Sequence, residues 1–280
     1  MKAGTRGLIP VLLSVLVIAG CMDREQRAFS LGTTTSIENS GLLAHLTRAF
    51  HEHHGIAVRP IVVGSGKALR LAEQGTIDLV LSHDRHGEQR LLQSGRVALY
   101  RQFMRNDFVI AGPAENPAGL EQSDTPSAAL AKIASSGNRF ASRGDQSGTH
   151  IRELSLWREA GIDPRQRSFY YPLGQSMSSL LRSSSELRAY VLTDRATFEQ
   201  VRSAIALTIL IEDHPSLENL YAVTLMQPTA RNREEWEHAR LFAEWLLSAE
   251  GMAAISSFTI RGRTVFVPIE PGRVPPSNSP

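Results

Sequence analysis

Three observations predict an α/β fold for this chain of 280 residues. Short apolar runs alternate with segments of helical periodicity, and Ser, Thr and Gly gather at several points where a strand hands over to a helix. The hydrophobic share of 42% over this length is enough for one or two well-filled cores.

Residues 28–32 read as a strand, and after a Thr/Ser turn a helix spans 39–53, with Leu42, Leu43, Leu46 and Phe50 at helical spacing. A strand at 57–63 follows. Gly64-Ser65-Gly66 opens a helix through 74, and an apolar strand at 77–81 and a helix at 88–94 complete three strand–helix repeats. Residues 97–112 read as extended, and the Pro-, Glu- and Asn-containing stretch 113–126 takes the chain toward a second unit. That unit has helices at 127–135, 149–160 (ended by Gly161) and 177–188, with strands at 139–142, 190–193 and 207–211. An extended segment at 220–226 returns to the first unit ahead of a long helix at 233–258. Such alternation implies mainly parallel sheets. Trp157, Trp236 and Trp245 fall in amphipathic helices and read as core or hinge-side packing, while 271–280 reads as a disordered tail.

The amino end has a different character. Lys2 and Arg6 precede an apolar run at 8–20 that is too short to span a bilayer, and Cys21, the sole cysteine, follows Ile18-Ala19-Gly20. This ending resembles the bacterial lipobox. The resemblance implies a signal peptide at 1–20, lipidation of Cys21, a tether at 21–28 and a lipid-anchored protein exported to the periplasmic or extracytoplasmic side. With one cysteine the chain forms no internal disulfide, so its stability must come from burial. Beyond residue 20, basic and acidic side chains number 28 each, which leaves no global basic footprint for nucleic acid.

Three turns carry the chemistry: Gly32-Thr33-Thr34-Thr35-Ser36, Gly64-Ser65-Gly66, and the stretch from Arg143-Gly144-Asp145 to Ser147-Gly148-Thr149-His150. Each sets hydroxyls and bare N–H groups where a helix starts. First-turn amides lack partners within their helix and lie at the positive end of its dipole, so an oxyanion satisfies them. Hydroxyls add donors without charge, Arg143 supplies one full positive charge, and Asp145 is placed to hold the guanidinium. Taken singly, each turn is also what an ordinary helix cap looks like.

Other spellings carry less. Gly66-Lys67 lacks the P-loop glycine, since Ile61 stands there, and Ala68 replaces the Ser/Thr that would hold Mg²⁺. His51-Glu52-His53-His54 has metal-capable groups without HExxH spacing and sits at a helix end, where the dipole favours histidine. Asp145, Ser147 and His150 lack the Gly-x-Ser-x-Gly elbow of a hydrolase. No catalytic residues, no metal and no cofactor are therefore expected.

With these turns in view, the chain resembles the extracellular tungstate-binding proteins of ABC transporters, relatives of the phosphate- and molybdate-binding proteins. The resemblance rests on Thr33-Thr34-Thr35-Ser36 with Asn39-Ser40-Gly41-Leu42-Leu43, Val63-Gly64-Ser65-Gly66 and Asn106-Asp107-Phe108-Val109-Ile110. Ser142-Arg143-Gly144-Asp145, Ser147-Gly148-Thr149-His150 and Leu192-Thr193-Asp194-Arg195 extend it. It implies a type II periplasmic-binding-protein fold: two α/β lobes, joined by two crossing strands, that close on an oxyanion in the cleft. Lobe one would comprise 29–109 and 219–270, and lobe two 110–218. Thr34 or Thr35 with Ser36, and Ser65, would contact the anion from lobe one, and Arg143, Ser147, Gly148 and Thr149 from lobe two. An ABC permease would be the partner of a monomeric protein.

Three departures bear on the ligand. Lys67 follows Gly64-Ser65-Gly66 where relatives carry Gln, adding a candidate second cation. Gly174-Gln175-Ser176-Met177 replaces Gly-x-Gly-Met, making Gln175 a candidate contact. His83-Asp84-Arg85 stands where relatives carry His-Ala-Pro, so Asp84 would bring a carboxylate toward the cleft. Tungstate and molybdate, fully deprotonated, want donors only, whereas phosphate keeps a proton and rewards an acceptor. An inward Asp84 would bring a phosphate-binding transport protein into consideration as the alternative. A clamshell anion-sensing or interaction module without transport is the reading from another class.

Overall fold

Two mixed sheets share one long strand in the computed structural model, which describes residues 27–145, 147–228 and 233–270. The expected signal peptide, Cys21, most of the tether and the tail at 271–280 lie outside the described residues. In the first sheet β1 (Ala28–Thr33) pairs in parallel with β2 (Ala57–Val62) and β3 (Leu79–Ser82). Helices α1 (Thr35–Ser40), α2 (Leu42–His54) and α3 (Ser65–Glu73) connect them, and α4 (Arg85–Gln93) follows.

Strand β4 (Val97–Pro113) then runs for 17 residues and changes partners along its length. Up to Asp107 it pairs antiparallel with β9 (Glu218–Met226), which in turn pairs with β3. From Phe108 onward it pairs with β7 (Tyr190–Asp194) and β8 (Leu207–Ile211) in the second sheet. There β5 (Phe140–Ser142) lies parallel to both β7 and β6 (Tyr170–Pro172), with α5 (Pro126–Ser135), α6 (Gly148–Glu159), α7 (Met177–Leu187) and α8 (Arg195–Val201) around it. The chain returns along β9 into α9 (Arg233–Leu246) and α10 (Ala249–Ser257). A small hairpin of β10 (Thr259–Ile260) and β11 (Arg263–Thr264) follows, and β12 (Val267–Pro268) pairs with β4.

The sheets are thus less parallel than the alternation implied. A chain that leaves one lobe and comes back must do so in opposite directions, which makes β4 and β9 antiparallel to each other. Helices cover both faces of each sheet, and strand alternation feeds both layers. Leu79 and Leu81 of β3 pack with Leu31, Phe50 and Phe242, while Val80 between them packs with Ala68, Leu69 and Leu91. In β7, Tyr190 and Leu192 join Phe140 and Trp157, and Val191 joins Leu180, Leu181 and Phe198 on the opposite face.

Helix boundaries differ where glycine or a cap intervenes. The helix expected at 39–53 is two helices, because Gly41 adopts φ 85° and ends α1. The stretch expected as one helix at 233–258 breaks at Ser248, whose hydroxyl accepts from Gly251 N. A Cβ at Gly251 would lie 2.1 Å from Trp245 O, so only glycine lets α10 turn this closely off the end of α9. Strand β6 and helix α8 had no counterpart in the sequence reading. The three tryptophans pack as expected: Trp157 and Trp245 are buried, and half-buried Trp236 donates to Met226 O at 2.6 Å.

Candidate functional site

Five helices begin at one cavity between the two lobes. Thr34 and Gly64 are the N-caps of α1 and α3 in lobe one, and Ser147, Ser176 and Asp194 those of α6, α7 and α8 in lobe two. All five line a space of about 130 Å³. That is room for a small inorganic ion rather than a drug-sized ligand. Strand-to-helix junctions collect here because the parallel strands of each lobe point their carboxyl ends at the cleft.

The two sides are capped differently. Ser147, Ser176 and Asp194 accept from their own helices, at His150 N, Ser179 N and Thr197 N. Thr34 and Gly64 make no side-chain cap bond. Lobe one therefore turns two uncapped helix starts into the cavity, with the positive ends of their dipoles. Thr34 Oγ1 lies 2.9 Å from Ser36 Oγ, and Ser65 Oγ accepts from His83 N at 3.3 Å, which leaves the Ser65 hydrogen for another acceptor.

Arg143 is the one arginine or lysine among the described lining residues. Its Nε and Nη2 donate to Asp145 Oδ2, and Asp145 Oδ1 accepts from Ser147 N at 3.1 Å. Burial alone would raise the Asp145 pKa, but hydrogen bonds from Ser147 and Arg143 outweigh it and hold the carboxyl below its usual range. The guanidinium is thus held in place by a charged partner, with 13% of its side chain exposed. Asp194 also lines the cavity. Burial pushes its pKa up, against the opposing pull of the Thr197 hydrogen bonds and Arg143. Both of its oxygens already take hydrogens from Thr197.

His83 closes the cavity from lobe one. Its ring lies 4.9 Å from that of Tyr221 and meets Gly148 at the start of α6, where a Cβ would come within 2.6 Å of His83 Cε1. The two lobes touch here across the cleft. Burial pushes the His83 pKa down to about 4, despite a hydrogen bond to Asn219 and the charge of Asp84, so near neutrality the ring is uncharged.

The structure brings Thr34, Thr35, Ser36, Ser65, Arg143, Ser147, Gly148 and Thr149 to this one cavity. It does not bring Lys67, Asp84 or Gln175 into the lining. Lys67 is exposed on α3. Asp84 is the N-cap of α4, accepting from Gly87 N at 3.0 Å. Gln175 Oε1 turns back to accept from Ser183 Oγ at 2.9 Å, and its neighbours Ser176 and Met177 line the space instead. The sequence reading missed Asn39, His83, Phe108, Asp194, Thr197, Asn219 and Tyr221 as lining residues. For Asn219 and Tyr221 a signal existed, since polar groups alternate into an otherwise apolar strand. Among the described residues no group of three or more His, Cys, Asp or Glu is arranged to hold a metal ion, and no helix is long and apolar enough to cross a membrane.

A two-lobed fold with helix starts and one guanidinium facing an interlobe cavity defines the class of solute-binding proteins that close on an anion. Comparison with known proteins narrows this. A PBP superfamily domain matches residues 24–250. The tungstate-binding protein TupA of Peptoclostridium acidaminophilum is 33% identical over 262 residues, covering 89% of this chain and 91% of the relative. The solved structure of the tungstate-binding protein TupA from Desulfovibrio alaskensis G20 superposes with a TM-score of 0.79 at 34% identity, covering 88% of this chain and all of that one. The tungstate ABC transporter structure from Geobacter sulfurreducens gives 0.74 at 37% identity, covering 82% and 98%. The chain belongs to the PBP superfamily, in the family that includes TupA.

Proposed function

We propose that this protein is the substrate-binding component of an ABC transporter, capturing tungstate or molybdate and delivering it to the permease. The observation that carries this reading is the pairing of two uncapped helix starts in lobe one with the Asp145-held guanidinium of Arg143 in lobe two, across a cavity of about 130 Å³. A fully deprotonated tetrahedral dianion accepts from every side, and such a site offers hydrogens from two sides at once. Thr34, Thr35, Ser36 and Ser65 contact it from one lobe, and Arg143, Ser147, Gly148 and Thr149 from the other. The phosphate alternative called for an inward Asp84, and that carboxylate is engaged in capping α4.

Binding is the whole of this protein's chemistry in our reading: the oxyanion is cargo, with no resident cofactor and no catalytic step. Residues 1–20 direct export, and a lipid on Cys21 holds a monomer at the membrane surface, within reach of the permease. Relatives named for tungstate binding at 33 and 34% identity support the ligand assignment.

Thermal unfolding of the soluble chain without its leader, with tungstate, molybdate, sulfate and phosphate added separately, tests this. A ligand at a thousand times its Kd stabilises by about 4 kcal/mol, a shift of roughly 8–16 °C at this size. Shifts with tungstate and molybdate are expected. A shift with phosphate alone would reassign the ligand, and no shift with any anion would turn the reading toward a sensory or interaction module.

A further inference from the structure

A buried carboxylate stands in the wall of the anion cavity. Asp194 is the one acidic residue among the described lining residues. Strand β7 ends on it and α8 starts from it, so the side chain is fixed in place. Thr197 N donates to Oδ1 at 2.8 Å, and Thr197 Oγ1 lies 3.0 Å from Oδ1 and 2.7 Å from Oδ2. Thr197 thus brings two hydrogens, whereas an ionised carboxylate has about four acceptor positions. The remaining lone pairs belong to the wall of a site that is to receive a dianion.

Nothing else in the lining answers that charge. Arg143, the single cation there, is already paired with Asp145, so Asp145 and Asp194 together outnumber it before any ligand arrives. The groups on the surrounding elements do not redress this. Beside Asp194 on α8, Arg195 is drawn to Asp107 and Glu212. Tyr221 on β9 is uncharged, its pKa raised by burial and by Asp194 itself. His83, following β3, is uncharged because burial pushes its pKa down, and burial lowers that of His150 near Asp145 as well. Strand β4 sets apolar Phe108 opposite Asp194, and Glu38 of α1 is exposed.

A dianion entering this space is repelled by Asp194 unless the carboxyl is neutral. Burial already raises the Asp194 pKa, with Thr197 and Arg143 pulling the other way, and further negative charge close by raises it again. Protonation at Asp194 cancels a buried charge, whereas at His83 it would create one, so burial favours the first and opposes the second. The proton comes from solution, and no bond of the oxyanion changes. With Oδ2 carrying the proton, Oδ1 keeps both Thr197 hydrogens and the new O–H serves as a donor.

We propose that Asp194 is a further ligand-binding residue, which takes up a proton as the dianion enters and holds the anion as a hydrogen donor. This rests on the oxyanion reading above and adds a proton to its stoichiometry. A group that is more readily protonated in the complex than in the empty protein makes affinity greatest at low pH, and the gain is lost as pH rises.

The experiment is titration calorimetry of tungstate with the mature chain at pH 7, 8 and 9. Repeating it at pH 8 in HEPES and in Tris, whose ionisation enthalpies differ, counts the protons taken up. Uptake approaching about one proton per tungstate is expected, with a Kd that rises by up to about 10-fold per pH unit. Asp194→Asn and Asp194→Ser each keep a capping acceptor for Thr197 N and remove the charge, and melting without ligand reports their folding. In both, uptake is expected to fall to near zero and the Kd to be flat with pH. Absence of uptake by the parent overturns the proposal, as does loss of tungstate binding in folded Asp194 variants. Uptake that survives in these variants overturns it too, placing the proton on another group such as His83. Each of these leaves oxyanion capture standing. A parent protein that binds neither tungstate nor molybdate instead removes the reading on which the proposal rests.

Discussion

Arg143 and Glu153 stand close together in the chain and make opposite electrostatic arguments. The guanidinium of Arg143 faces the cavity with Asp145 at its back, so a dianion gains a charge-assisted contact in a place that excludes water. Replacing Arg143 with Ala is expected to raise the tungstate Kd between about 10- and 100-fold in calorimetry, since hydrogen bonds to charged groups are worth about 1.5–3 kcal/mol. Glu153 on α6 points the other way, into the core beneath the Arg143 loop. It accepts from Tyr170 Oη at 2.7 Å, and that hydroxyl also reaches Ser142 Oγ at 2.8 Å. Burial raises its pKa from 4.5 to about 7, partly offset by hydrogen bonds from Ser142 and Tyr170. A carboxyl that holds its proton more tightly in the fold contributes most below pH 4.5, and this contribution is lost as pH rises through 7. Urea unfolding between pH 4.5 and 7 should show Glu153→Gln flattening the fall in stability by up to about 1.4 kcal/mol per pH unit.

At the scale of elements, the point where β4 passes from one sheet to the other is held by charge. Arg195 opens α8, and its Nε lies 2.9 Å from both carboxylate oxygens of Asp107. Its Nη1 meets Glu212 at 2.6 Å. Against the effect of burial, these partners raise the arginine pKa. Asp107 is the last β4 residue paired with β9, and Phe108 is the first paired with β7, so the arginine ties lobe two to the joint itself. Arg195→Ala would leave Asp107 and Glu212 facing each other with the shared cation gone. For these half-buried groups a loss of about 2 kcal/mol is expected, read as a lower urea midpoint. In the sequence, Asp107 and Arg195 were legible only as members of separate motifs. Their pairing across 88 residues follows from the antiparallel register of β4 with β7, which no local pattern reports.

The whole molecule is set by how closely the lobes approach. His83 of lobe one packs on Gly148 of lobe two with no room for a methyl group. The ring cannot easily yield, being held against Tyr221 and hydrogen-bonded to Asn219. Gly148→Ala should therefore keep the lobes apart while leaving the helix start and its amides intact. Binding shifts such a protein toward the closed form only by the contacts that form adds. X-ray scattering of the parent with tungstate is expected to show compaction. The variant should show little, with affinity weaker by about 10-fold or more.

Most of the fold was determined by local sequence. Three apolar strands with helices between them, the long extended segment at 97–112 and its return at 220–226 were legible because alternation and helical periodicity are properties of neighbouring residues. The hydroxyl-rich turns were legible for the same reason, since a helix start declares itself within four residues. Tertiary structure decided what those turns face and which side chains lie between them. Asp84 and Gln175 belong to site-like motifs yet turn to partners near them in the chain, Asp84 capping α4 at Gly87 N and Gln175 accepting from the Ser183 hydroxyl. His83 follows β3 directly while Asn219 and Tyr221 lie on β9, far away in the chain, and only the pairing of β3 with β9 makes them neighbours. The cavity is lined from both lobes and from β9 between them, so which groups share it could not be read from any one segment of the sequence.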